Sequence, residues 1–69
     1  MSTDDGMNGT VVKVEHYQDG GTNYRVRLDK GGEHPYPWHS RNGAGPHEGA
    51  RVFVAFTETE PPRITRWKP

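Results

Sequence analysis

The chain has 69 residues, nine basic and nine acidic, for a net charge of zero, and 29% of them are apolar. One domain of this length buries only about 60% of the surface its unfolded chain exposes, so the core must be thin. There is no cysteine, which excludes disulfides and thiolate zinc sites as reinforcement. A mean hydropathy of −1.06 leans toward disorder, but balanced charge and regularly spaced apolar residues argue for a folded domain.

Residues 1–8 read as a loose polar tail carrying Asp4 and Asp5, followed by a single domain over 9–69. The polar, acidic start is unlike a signal peptide, and no apolar run reaches the roughly 18 residues needed to cross a bilayer. A cytoplasmic protein with no membrane partner is the expectation. From Thr10 to Tyr17 the residues are β-branched and aromatic, with Val12 and Val14 on one face and Lys13 and Glu15 on the other. Val11 breaks this alternation and predicts a bulge or a sharp bend.

Gln18–Asn23 is a turn by composition. Tyr24, Val26 and Leu28 then alternate with Arg25, Arg27 and Asp29, the pattern of a strand with one buried face. Asp29–Gly32 is a second hairpin-type turn. Glu33–Trp38 is held extended by Pro35 and Pro37, which lack ladder donors and so suit an edge strand. His39–Gly49, with Asn42-Gly43 and Gly45-Pro46, reads as a long loop with room for one helical turn. In Ala50–Thr57, Val52, Val54 and Phe56 face one way and Phe53 the other, where something must cover it. Thr57–Pro62 is a stiff connector, and Arg63–Trp67 is a last short strand ended by Pro69.

No segment carries a 3.6-residue period. The chain is therefore expected to be all-β, a small five-stranded curled barrel of OB-like or SH3-like type, because curling covers the apolar face and pairs the edges. The run Gly9-Thr-Val11-Val-Lys-Val14, then Tyr24-Arg-Val26-Arg-Leu28-Asp, then Gly49-Ala-Arg-Val52-Phe-Val54 resembles small OB-fold barrels. It looks like S1-like domains, TOBE domains of transporter ATPases and OB modules of phage baseplate hubs. The S1 pattern has a glycine and a phenylalanine in its third strand, where this chain has Pro35 and Pro37.

Two binding surfaces follow. In an OB barrel, single-stranded nucleic acid lies on the face of strands two and three, with aromatics stacking bases and arginine tracking phosphate. That reading selects Arg25, Arg27, His34, Tyr36 and Trp38 as the contact surface of a nucleic-acid-binding or regulatory adaptor. The plainer alternative buries Tyr36 and Trp38 and pairs the arginines with Asp29 and Glu15 across strands. A protein-interaction or assembly surface, as in a phage structural or inhibitory barrel, would instead use Phe53, Trp38 and Trp67, since tryptophan, tyrosine and arginine anchor interfaces. A homo-oligomer formed there would reinforce the core; alternatively, Phe53 and Trp67 cover each other.

The four histidines His16, His34, His39 and His47 lack metal-ligand spacing. No nucleophile elbow, phosphate loop or zincin helix is present, and a barrel this small has its interior filled. A non-catalytic module without metal or cofactor is expected.

Overall fold

The computed structural model describes residues 5–39 and 44–68. Among these, five strands form one antiparallel sheet: β1 (Gly6–His16), β2 (Thr22–Leu28), β3 (Glu33–Tyr36), β4 (Arg51–Ala55) and β5 (Arg63–Lys68). The described residues contain no helix, so none is long and apolar enough to cross a membrane. The all-β expectation stands. Ala44–Glu48 forms no helical turn, while Ser40–Gly43 of the expected loop, Pro69 and residues 1–4 of the expected tail lie outside the described residues.

The strand order is β3-β2-β1-β4-β5. β1 to β3 form a meander, and β4 returns beside β1, which is a Greek key. Beyond β3 the chain reaches the other edge: Ile64 N–H donates to Pro37 O at 2.9 Å and His39 N–H donates to Ile64 O at 3.0 Å. A single parallel bridge between Trp38 and Ile64 results. The sheet is thus curled, with its two edges touching at one point, and is not a fully laddered barrel.

Turn chemistry sets the hairpins. Gly31 and Gly32 sit at φ 109° and 85°, a region open to glycine at no steric cost, and Leu28 N–H donates to Gly32 O at 2.9 Å across that turn. In β1 the register with β2 slips between Val11 and Lys13. This bulge, anticipated by the broken alternation, falls at Val12 and lets Val11 and Val14 both face inward, so the expected pairing of Val12 with Val14 on one core face is replaced by Val11 with Val14. Gly9 marks a close approach, because a Cβ there would lie 2.6 Å from Val26 Cγ1.

β1 also begins earlier than expected. Gly6, Met7 and Asn8 pair with Ala55, Val54 and Phe53, so residues 6–8 belong to the sheet and not to a tail. Their weak strand propensity is overridden by the partner strand. The core holds Val11, Tyr24, Val26, Leu28, Tyr36, Val52, Val54 and Ile64, with Met7, Val14, Trp38, Phe56 and Trp67 packed against it.

Candidate binding surface

Directly paired residues of adjacent strands share a sheet face. Tyr24 pairs with Tyr36, Arg25 with Pro35, Val26 with His34 and Arg27 with Glu33. That register puts His34 and Tyr36 on the core side, and Arg25 and Arg27 on the outside. Tyr36 is 8% exposed and meets Phe56 edge-on at 6.2 Å between centroids; burial raises its phenol pKa. Trp38 is half-buried against the core, its indole nitrogen sealed from solvent. His34 stays exposed at the sheet edge, where Nε2 donates to Gly31 O at 2.9 Å. The basic-aromatic surface drawn from Arg25, Arg27, Tyr36 and Trp38 is therefore corrected: one register step separates its arginines and aromatics onto opposite faces.

The arginines are also engaged. Arg27 donates through Nε and a terminal nitrogen to one Glu33 oxygen, at 3.2 and 2.8 Å, and Arg25 lies 3.8 Å from the Glu15 carboxylate. Arg51 donates to both oxygens of Asp29, at 2.9 and 2.8 Å, and to Thr10 Oγ1 at 3.0 Å. The hydrogen bonds from Arg51 hold the Asp29 carboxyl below its ordinary pKa. Arg63 and Glu60 form a second bidentate pair, at 2.8 and 2.7 Å, which lowers the Glu60 pKa in the same way.

The β4–β5 ladder brings together a different set. Its register shifts between Phe53 and Val54, so that Val54 pairs with Ile64, Phe53 with Arg66, Val52 with Trp67 and Arg51 with Lys68. The extra residue is Thr65. An unbroken ladder would set Arg66 opposite Val52, on the core side. The bulge moves Arg66 outside, where its guanidinium carbon lies 4.5 Å from the Phe53 ring centre, and turns Trp67 inward.

Phe53 and Trp67 consequently lie on opposite faces and do not cover each other. Arg66 covers Phe53 by a cation–π contact. Trp67 is half-buried and meets the His47 ring edge-on at 5.4 Å. Phe53 lies against Gly6, where any side chain would collide with its ring.

On the outside of β4–β5 is an open groove of about 650 Å³ lined by Asn8, Arg51, Phe53, Arg66 and Lys68, and bordered by Trp67, which lies between Arg66 and Lys68 in β5 and packs against the core. Three of these six are cations and none is an acid. Arg66 and Lys68 enter no ion pair among the described residues. Of the expected site residues, the outer face presents Phe53, with the inward Trp67 only at its border; Asn8, Arg51, Arg66 and Lys68 were not among those expected. The shared parity of Arg51 with Phe53 and of Arg66 with Lys68 is readable in the chain, but their juxtaposition depends on the bulge at Thr65.

His16 Nδ1 lies 3.2 Å from Thr22 Oγ1, and His47 Nδ1 donates to Glu48 O at 2.8 Å. Comparisons with protein-family models, with curated proteins and with solved structures return no match.

Proposed function

We propose that this chain is a non-catalytic binding module that engages a protein partner through the outer face of β4 and β5. One observation carries the reading: the groove of Asn8, Arg51, Phe53, Arg66 and Lys68 puts an outward aromatic and three cations on one sheet face. Arginine and aromatic side chains are the usual interface anchors. Phe53 and Arg66 hold each other in place before a partner arrives, which cuts the side-chain ordering cost of binding.

The nucleic-acid reading has less support. Arg25 and Arg27 face away from Tyr36 and Trp38 and are paired with Glu15 and Glu33, so β2 and β3 do not set stacking aromatics beside a cationic track. The architecture itself supports an OB-like reading over an SH3-like one. OB folds are five-stranded, partly open Greek-key barrels, and here a Greek key is followed by a fifth strand whose second residue, Ile64, meets the far edge at Trp38.

The test is a photo-reactive amino acid placed at Lys68, or at Lys13 as a control, in cells that produce the protein. Protein adducts should form at position 68 and not at 13, and adding Phe53→Ala should remove them. Equal adducts at both positions, or adducts to nucleic acid alone at position 68, would refute the assignment.

A further inference from the structure

We infer that the partner presents an extended acidic segment with carboxylates at alternate positions, one for Arg66 and one for Lys68. The inference rests on the binding face proposed above and names what that face takes.

The first argument is charge. Lys68, Arg66 and Arg51 line the groove without an acid among its lining residues. Arg51 is already answered by Asp29, whereas Arg66 and Lys68 have no carboxylate among the described residues. These two are the groove's uncommitted positive charges.

The second argument is geometry at Arg66. The guanidinium carbon of Arg66 lies over the Phe53 ring, 4.5 Å from its centre, a contact that needs none of its N–H donors and leaves them for a partner. An arginine held over a ring is a carboxylate fork placed in advance, because its planar donors match two carboxylate oxygens side by side. Gly6 contributes by leaving the Phe53 ring room to lie against β1.

Spacing is the third argument. Arg66 and Lys68 pair with Phe53 and Arg51 on the same outer face of β5, two residues apart. At a rise of about 3.3–3.4 Å per residue they repeat every ~6.7 Å, and so do same-face side chains of an extended partner. Acids at every second position therefore fall in register with Arg66 and Lys68; adjacent acids do not, because their side chains point to opposite faces.

Nucleic acid fits less well. Phosphate-driven binding gains by neutralising many phosphates, and Arg27, Arg51 and Arg63 are each already bonded to a carboxylate of this chain. One face of the Phe53 ring is already taken by Arg66, which a stacking base would have to displace or avoid. A second copy docking through the same face would set Arg66 and Lys68 against their equivalents, a like-charge contact.

The test measures binding of a fluorescent short peptide with glutamate at every second position and threonine between. Its comparators are an isomer with the glutamates adjacent, a glutamine version and an oligothymidylate. At low salt the alternating peptide should bind, and Arg66→Gln or Lys68→Gln should each weaken it by about tenfold, the scale of one lost charge-assisted contact. Arg25→Gln should leave it unchanged, the adjacent-glutamate isomer should bind several-fold more weakly, and the glutamine version should not bind.

Lys68 is exposed at the end of β5, so its variant reads out charge even if the Arg66 variant is destabilised. Equal binding of the two glutamate isomers, indifference to both substitutions, or tighter oligothymidylate binding lost on Lys68→Gln would overturn the inference. Absence of peptide binding at low salt would also overturn it. Protein crosslinks at position 68 would in that case still uphold the binding face.

Discussion

Arg51 reaches from the start of β4 to Asp29 in the β2–β3 turn and to Thr10 in β1, so one guanidinium ties together three parts of the sheet. Because its hydrogen bonds lower the Asp29 pKa, and those of Arg63 lower that of Glu60, the sign of the pH effect is fixed. Each pair adds stability above the ordinary carboxylate range, near pH 4, and loses it as pH falls through the lowered folded values. Thermal unfolding followed from neutral pH downward should show stability declining on the acid side, and Arg51→Met should make that decline shallower. An unchanged acid limb in that variant would show that the Asp29 pair contributes nothing.

Tyr36 behaves oppositely. Its pKa is raised by burial, so its contribution is present at neutral pH and is lost as pH climbs past about 10. Spectrophotometric titration should reveal a late phenolate step that disappears in Tyr36→Phe; loss of an early step instead would place Tyr36 at the surface.

Two bulges decide which side chains the strands show. The one at Val12 lets β1 turn from β4 to β2 while keeping Val11 and Val14 inward. The one at Thr65 moves Arg66 outside and Trp67 inside. Deleting Thr65, the unpaired residue, leaves Arg66 opposite Phe53 and Trp67 opposite Val52 in an unbroken ladder, so each side chain of β5 keeps its face. Urea denaturation should find the deletion variant folded, within about 1–2 kcal/mol of the full chain; an unfolded variant would mean that β5 needs the bulge itself.

Ile64 is fully buried and bridges β4 to the Trp38 edge. Ile64→Val should cost about 1 kcal/mol, lowering Tm by about 4–8 °C for a domain of this size. A drop of less than a degree would mean that the edge contact is absent in solution.

What could be read beforehand divides along the same line. Strict two-residue alternation in Tyr24–Leu28 and Val52–Val54 identified the strands and their buried faces, and the doubled valine at Val11-Val12 announced the first bulge. Ile64-Thr-Arg-Trp67 has no doubled apolar residue, so the second bulge left no mark. Parity put Tyr36 on one face of β3, but which face met the core depended on pairing with Tyr24, a contact between strands. Gly6–Asn8 carries no strand signal because its order comes from β4.

Across the whole molecule, zero net charge conceals a segregation. Acids and arginines cancel pairwise around β2, β3 and the β4–β5 connector, while the outer face of β4–β5 keeps Arg66 and Lys68 without carboxylates among the described residues. The thin core accommodates this arrangement by burying Tyr36, Trp38 and Trp67 wholly or in part, so the large aromatics serve mainly to fill the interior. Tyr17, exposed after β1, and Phe53, covered by a cation, are the exceptions. Binding at this face should weaken as salt rises, because its charges are solvent-accessible and screened within about 10 Å at 0.1 M.

The most direct test of the whole account is a map of backbone amide chemical shifts as the alternating-glutamate peptide is titrated into the isotope-labelled protein. The largest changes should cluster at Asn8, Arg51, Phe53, Arg66 and Lys68, with Arg25, Arg27 and His34 unmoved. Changes concentrated at Arg25, Arg27 and His34 would contradict it and return the binding surface to β2 and β3.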